Sequence, residues 1–222
     1  MEEATRESAE RVRSLLQTER VTPRAFRAEL ERVRPGERDA WLDQVLGLES
    51  IPEDGPALPP SCVPYLPCSV AALLNVLDEA QVGASDVFVD VGSGVGRAAA
   101  LVHLSTGASV VGVEIQPELV RVARELAARL SLHRFTSVEG DAAELTPLVT
   151  IGTIFFLYCP FSGARLQKLL DDLERIARLR PIRVCAVDMP LPQRSWLRPV
   201  SSSREGSEVY ESTFVNQRSA AP

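Results

Sequence analysis

The sequence predicts an α/β fold, in which a doubly wound parallel sheet carries helices on both faces. From residue 69 to residue 190, short apolar runs rich in β-branched side chains alternate with longer segments of helical periodicity. A glycine-rich turn follows the first apolar run, at the position where sheets of this kind bind their ligands. The 222 residues are enough for one such domain and a small appendage.

The appendage is predicted to be helical and to span residues 1–50. Thr22 followed by Pro23 is typical of a helix start, and Gly47 suits the position just after a helix end. The apolar stripes of these helices are narrow, so they must pack against another surface. Two interpretations follow: a helical cap on the main domain, or a lid that helps to select the substrate.

A proline-rich linker over residues 51–68 separates this extension from the main domain, which is predicted to span residues 69–216. The six prolines of the linker favour an extended chain on the surface. Strands are predicted at 87–91, 109–114, 135–139, 153–158 and 182–187, with helices between them. Residues 217–222 are expected to form a disordered tail.

Composition argues against several classes of function. The formal net charge of −6 and the sequence pI of about 5.1 disfavour binding along a nucleic-acid backbone. No apolar run approaches the roughly 18 residues of a membrane-spanning helix, and the charged start of the chain lacks a signal-peptide core. Four cysteines without a Cys-x-x-Cys pair indicate reduced thiols and a cytoplasmic protein, and two histidines argue against a metal site. The oligomeric state is left open.

The turn after the first strand carries the most specific signal in the chain. Its glycines stand at alternate positions, Gly92, Gly94 and Gly96, whereas the dinucleotide fingerprint Gly-x-Gly-x-x-Gly is one residue longer. Asp90 stands near the end of the strand, where a carboxylate repels a pyrophosphate but attracts a cationic group. The glycines let a ligand approach the backbone, and the helix start behind them offers unpaired N–H groups. The turn therefore favours a nucleotide-like ligand that carries positive charge.

The stretch from Phe88 to Arg97 resembles the first motif of the class I (Rossmann-like) S-adenosylmethionine-dependent methyltransferases. The resemblance covers roughly residues 60–190, and it implies a mostly parallel seven-stranded sheet with S-adenosylmethionine as the cofactor. Glu114 follows the glycine turn by about 20 positions, where an acid accepts hydrogen bonds from both ribose hydroxyls. In this family an acid after the third strand faces the adenine, and Asp141 matches that place. The implied cofactor contacts are Tyr65, Asp90, Val91, Gly92, Ser93, Gly94, Gly96, Glu114, Ile115, Asp141, Ala142 and Tyr158.

The methyl acceptor is expected beside the segment after the fourth strand, Tyr158-Cys159-Pro160-Phe161. Because substrate-facing groups of the family stand here, Tyr158 is a catalytic candidate, and Pro160 and Phe161 are substrate-binding candidates. Amino-group methyltransferases often show Asn/Asp-Pro-Pro-Tyr/Phe at this place, and the departure from that pattern argues against a nitrogen acceptor. Asp188, just after the fifth strand, is a candidate general base.

Three functions are weighed. The leading one is transfer of a methyl group from S-adenosylmethionine to an unidentified small-molecule or protein acceptor. The second is a nicotinamide-dependent oxidoreductase, which is disfavoured by the glycine spacing and by the position of the only lysine, Lys168, inside a leucine-rich helix. The third is a cofactor-binding module that regulates a partner without catalysis. The glycine motif also resembles that of Rossmann-type histone-lysine methyltransferases, but only over this short stretch.

Overall fold

The computed structural model describes residues 1–18, 20–55, 58–59, 61–200 and 206–214. The tail predicted at 217–222 and the domain end predicted at 216 lie outside these described residues. The strands are β1 (Val87–Val91), β2 (Ser109–Glu114), β3 (Phe135–Glu139), β4 (Ile154–Tyr158), β5 (Arg183–Val187), β6 (Leu197–Pro199) and β7 (Ser207–Ser212). The helices are α1 (Glu3–Leu16), α2 (Pro23–Arg32), α3 (Arg38–Leu46), α4 (Val70–Glu79), α5 (Arg97–Thr106), α6 (Pro117–Arg129), α7 (Ala142–Leu145) and α8 (Gly163–Leu179), with 3₁₀ turns at Pro35–Glu37 and Thr146–Leu148. None of these described helices is long and apolar enough to cross a membrane.

The seven described strands form one sheet in the order β3-β2-β1-β4-β5-β7-β6. Strands β1 to β5 run parallel, and β7 runs antiparallel to both β5 and β6. The predicted doubly wound, mostly parallel seven-stranded sheet with an N-terminal helical extension is therefore confirmed. Because the strand order reverses at β1, between β2 and β4, the ligand crevice is expected at the carboxyl end of β1.

The side chains of the strands alternate between two buried layers, one on each face of the sheet. On the first face Phe88 and Phe156 stack with ring centroids 5.5 Å apart, in a layer that includes side chains from α1 to α6. On the second face Val89 and Phe155 pack with α7 and α8. Since helices cover both faces, the central strands are apolar at nearly every position. Asp90, on the same face as Phe88, interrupts this pattern.

The N-terminal helices pack on α4 and α5. Thr22 caps α2 by accepting a hydrogen bond from the Ala25 backbone N–H at 3.3 Å, and Gly47 ends α3 in a left-handed conformation with φ of 66°. Phe26 and Trp41 are fully buried, with ring centroids 5.7 Å apart. Burial contributes about 1.5–3 kcal/mol for a large apolar side chain, so these helices are joined to the main core.

The linker crosses the carboxyl ends of the strands. Residues 61–68, which we name the strap, run beside the segment that follows β4. The backbone N–H of Val63 donates to the Pro160 carbonyl at 3.3 Å, and Cys62 forms an antiparallel bridge with Phe161. Proline suits such a crossing because it fixes φ and has no N–H to satisfy. The strap therefore lies over the crevice end of the sheet.

Candidate functional site

The pairing of the central strands brings their carboxyl ends together. Val91 of β1 is paired with Val113 of β2 and with Leu157 of β4. The residues that follow these three positions are therefore neighbours: the first glycine of the loop, Glu114 and Tyr158. Polar groups that lie far apart in the sequence meet at this one edge of the sheet.

The loop after β1 requires glycine at two closely packed positions. Gly92 and Gly94 have φ values of 78° and 53°, in the left-handed region that other residues rarely adopt. A Cβ at Gly94 would lie 2.1 Å from the ring of Tyr65, and one at Gly92 would lie 2.9 Å from the Cβ of Pro160. The strap and the segment after β4 therefore approach the loop backbone as closely as glycine permits.

Glu114 connects the end of β2 to the glycine loop. Its side chain is buried, and its two carboxylate oxygens accept hydrogen bonds from the backbone N–H of Gly94 at 2.9 Å and of Gln116 at 2.8 Å. Burial raises the pKa of Glu114, while these backbone hydrogen bonds act in the opposite direction. A carboxylate oxygen can accept more than one hydrogen bond, so hydroxyl groups of a ligand can also donate to it.

Asp90 is a buried carboxylate, and one of its two oxygens has no hydrogen-bond partner among the described residues. The residue is 3% exposed, and the oxygen without a partner is Oδ2. Burial raises the pKa of Asp90 to about 7; the nearby Glu114 adds to this rise, and a hydrogen bond with the Ala99 backbone opposes it. A cation beside Oδ2 would stabilise the ionised form.

Asp141 lies after β3 and is held by two partners. One carboxylate oxygen accepts a hydrogen bond from the Ala143 backbone N–H at 3.0 Å and caps α7, and the other pairs with the guanidinium of Arg165. These contacts fix the direction of the carboxylate beside the larger of the two cavities beneath the strap.

The larger cavity has a volume of about 70 Å³, and the smaller one has a volume of about 20 Å³. The walls of the larger cavity include Glu114, Ile115, Asp141, Ala142, Pro160 and Phe161. The walls of the smaller cavity include Asp90, Ser93 and Arg97. Four residues line both cavities and form the partition between them: Tyr65, Leu66, Gly92 and Tyr158.

Most of the residues predicted from the sequence therefore meet beneath the strap. The described lining residues of the two cavities do not include Val91, Gly94, Gly96 or Asp188. Val91 packs in the second-face core, and Gly94 lies under the Tyr65 ring. Gly96 lies against Phe135, whose ring would be 2.6 Å from an added Cβ.

Three buried polar atoms around the smaller cavity have no hydrogen-bond partner in the described part of the chain: Tyr65 Oη, Asp90 Oδ2 and Ser93 Oγ. Buried polar groups in proteins are nearly always paired, and each unpaired one costs about 1–3 kcal/mol. Their convergence on one small cavity indicates a polar ligand that supplies the missing partners.

The ends of β4 and β5 have a strained backbone. Cys159 and Asp188 have φ values of 45° and 54°, in a region that residues other than glycine rarely enter and that is frequent at functional sites. The Cys159 thiol donates to the Asp188 carbonyl at 3.2 Å, which joins the two loops. Burial raises the pKa of Tyr158, and the neighbouring cysteines and Asp188 add to this rise. A carboxylate, a thiol and a phenol therefore share this corner of the site.

Three residues that organise the site were not predicted from the sequence. The Gln116 side chain holds the linker, because it donates to Asp54 and accepts from the Gly55 N–H, both at 2.7 Å. Arg165 pairs with the acid after β3, and Arg97 carries a buried guanidinium. Their partners are distant in the sequence, so no local pattern reveals them.

Comparisons with known proteins give a consistent result. Residues 88–181 match the family model described as a methyltransferase domain. An RNA methyltransferase from Salinibacter ruber, solved in complex with S-adenosyl-L-homocysteine, is 28% identical with a TM-score of 0.55, over 68% of this chain and 95% of that one. The Escherichia coli protein yhhF, a methyltransferase by assignment, is 16% identical with a TM-score of 0.55, over 73% and 91% of the two chains, and supports the fold alone. No curated protein sequence matches this chain.

The strand order, the glycine loop and the acid at the end of β2 define a Rossmann-like methyltransferase domain. The match of residues 88–181 to a methyltransferase domain, together with the fold, supports a class I S-adenosylmethionine-dependent methyltransferase. The protein is an enzyme, and S-adenosylmethionine is its cofactor. This result decides against the nicotinamide-dependent oxidoreductase and the non-catalytic module considered above.

Proposed function

We propose that the larger cavity receives the adenosyl part of S-adenosylmethionine and that the smaller cavity receives its amino-acid part. In this proposal, Glu114 accepts hydrogen bonds from the ribose hydroxyls, and Asp141 accepts one from the adenine amino group. Asp90 pairs with the ammonium group, and Ser93 donates to the carboxylate. Of the other predicted contacts, Gly92, Ile115, Ala142 and Tyr158 form the walls, and Val91, Gly94 and Gly96 shape the end of β1 and the glycine loop behind them. The observation that carries the proposal is the set of polar atoms around the smaller cavity for which the described residues offer no partner.

Tyr65 controls whether the two cavities join. Its ring lies on Gly94 within the partition between them. The larger cavity, at about 70 Å³, is well below the roughly 300 Å³ of a small ligand pocket. The Tyr65 side chain therefore turns away when the cofactor binds along the glycine loop, and its ring then packs against the cofactor.

The methyl acceptor binds beside Tyr158, with Pro160 and Phe161 as walls. When bound, S-adenosylmethionine supplies a methyl group on a positively charged sulfur, which is the electrophile. Tyr158 holds the acceptor in line by a hydrogen bond. Asp188, exposed after β5, takes the proton where the nucleophile carries one.

A small molecule or a protein is the acceptor that the charges of the site favour. The charged residues described along the cavity walls are three carboxylates, of Asp90, Glu114 and Asp141, and the ion-paired Arg97. Phosphate groups would meet repulsion there. RNA is a second candidate because the Salinibacter ruber protein is an RNA methyltransferase. The net charge of −6 on this chain disfavours it.

Calorimetry tests the cofactor site. We expect S-adenosylmethionine and S-adenosylhomocysteine to bind and NAD not to bind. Binding of NAD without a response to either sulfur compound would overturn the proposal. The acceptor is found by incubating cell extract with methyl-labelled cofactor. We expect label in the small-molecule or protease-sensitive fraction, and label that ribonuclease releases would identify RNA instead.

A cytoplasmic location is also part of the proposal. Cys62, Cys68, Cys159 and Cys185 are free thiols, as is usual for proteins of reducing compartments. Fluorescence microscopy of a tagged full-length chain tests this location.

A further inference from the structure

Arg97 carries a buried guanidinium at the base of the glycine loop. It is the first residue of α5, and its side chain is 4% exposed. Its Nε donates to Asp43 at 2.5 Å and its Nη2 donates to Asp39 at 2.9 Å, both on α3. Its Nη1 donates to the carbonyl of Cys68, at the end of the strap, at 2.7 Å. One side chain therefore joins the glycine loop, the strap and the N-terminal helices.

The same cluster fixes the start of α4. Asp39 also accepts a hydrogen bond from the backbone N–H of Val70, the first residue of that helix, at 2.9 Å. Because an unpaired charge inside a protein is strongly unfavourable, Arg97 stays buried only while these partners remain in place. Loss of a partner would be relieved by movement of Arg97, and the loop directly before it would move as well.

We propose that Arg97 is a positioning residue for the cofactor, and that its ion pairs with Asp39 and Asp43 let the N-terminal helices hold the glycine loop and the strap in their binding geometry. This inference rests on the cofactor site proposed above. The described lining residues of the two cavities all lie at position 58 or beyond. The N-terminal helices therefore act through Arg97 and not by contact with the cofactor.

A second ion pair provides a matched control. Arg27 of α2 donates to both carboxylate oxygens of Asp78 on α4, at 2.9 and 3.1 Å. This pair also joins an N-terminal helix to the main domain, but neither residue lines the two cavities beneath the strap. Loss of Asp78 therefore measures how a weaker attachment of the N-terminal helices, by itself, affects cofactor binding.

The experiment compares Asp43→Asn with Asp78→Asn in the full chain, by calorimetry with S-adenosylhomocysteine and by thermal unfolding. We expect Asp43→Asn to weaken binding about tenfold and Asp78→Asn to weaken it less than about twofold. Asp43→Glu, which keeps the carboxylate, should recover most of the affinity. Wild-type affinity in Asp43→Asn, or equal weakening by both Asn variants, would overturn the inference.

Two further outcomes are distinguished. If Asp43→Asn does not fold, Arg97→Lys is compared with Arg27→Lys by the same measurements, since lysine keeps the charge but loses the planar fork. Equal affinity in these two variants would overturn the role of Arg97. If the wild-type protein does not bind S-adenosylhomocysteine, the proposed cofactor site itself fails, whatever the variants do.

Discussion

The buried carboxylate of Asp90 makes the substitution Asp90→Asn a stringent test of the site. The pKa of Asp90 is about 7, against an ordinary value of 3.8, because burial and then Glu114 disfavour the ionised form. Each pKa unit corresponds to about 1.4 kcal/mol. Ionised Asp90 therefore destabilises the protein without its cofactor by up to about 4 kcal/mol above pH 7. Asparagine has nearly the same shape and does not ionise, so the variant escapes this penalty.

The sign of the pH dependence follows from proton binding to Asp90. Between pH 3.8 and about 7 the folded protein keeps a proton that the unfolded chain has lost, so the free energy of unfolding falls as pH rises. Below this range the residue is neutral in both states. The stability advantage of the variant should therefore grow by about 2–3 kcal/mol from pH 5 to pH 8. Any pH-independent cost of asparagine cancels in this comparison.

Thermal unfolding of the wild-type protein and of Asp90→Asn, without cofactor and at both pH values, measures this effect. In a chain of this size, about 2–3 kcal/mol corresponds to a change of roughly 5–10 °C in Tm. Asp171→Asn, which alters an exposed carboxylate on α8, is the control and should show no gain that depends on pH. An equal gap between Asp90→Asn and wild type at pH 5 and pH 8 would refute the reasoning.

The gain in stability should come with a loss of function. The ammonium group of the cofactor loses its carboxylate partner in Asp90→Asn, so S-adenosylhomocysteine should bind at least about tenfold more weakly at pH 8. Calorimetry on the same samples measures this change. If the variant were more stable but bound S-adenosylhomocysteine with unchanged affinity, the burial of Asp90 in the wild-type protein would be unrelated to the cofactor.

Three further substitutions probe the loop, the ribose contact and the acceptor. Glu114→Ala should weaken cofactor binding by roughly 1–3 kcal/mol, since loop N–H groups and ligand hydroxyls lose their acceptor; an unchanged calorimetric affinity would remove Glu114 from the site. Gly94→Ala should lower Tm, because φ of Gly94 is 53° and the added Cβ would lie 2.1 Å from the Tyr65 ring. The control Gly36→Ala should not lower Tm, because the space around Gly36 is open. Equal Tm values in the two variants would contradict this prediction. Tyr158→Phe should slow transfer of labelled methyl groups while cofactor affinity stays within about twofold, and full activity would exclude the hydrogen bond to the acceptor.

The central sheet could be predicted because its signals are local. Runs such as Val87–Val91 combine β-branched residues with burial on both faces, and the turn after them is marked by glycine. The far edge of the sheet is different. Strand β6 has only three residues. Strand β7 lies between β5 and β6 in the sheet and pairs antiparallel with β5. Such an arrangement depends on tertiary contacts that no periodicity records.

The acids of the site could be predicted because parallel strands present their carboxyl ends at one edge. The groups that set their properties could not. The pairing of Asp141 with Arg165 and the contact of Tyr65 with Gly94 join residues far apart in the sequence. The Arg97 cluster likewise connects the glycine loop to α3 through partners more than fifty positions away. Sequence patterns give the identity of a charged residue at a strand end, but the folded chain determines what neutralises it.

Several energetically unfavourable features of the chain meet at the site. The other residues of β1 are apolar and buried or half-buried, whereas Asp90 is buried with an oxygen that has no hydrogen-bond partner among the described residues. Cys159 and Asp188 adopt left-handed backbone conformations within the same corner. Each of these features costs stability, and the three residues lie at the carboxyl ends of β1, β4 and β5. A ligand that carries positive charge and hydrogen-bonding groups relieves the buried polar part of that cost, which is the physical reason why a cationic cofactor fits here.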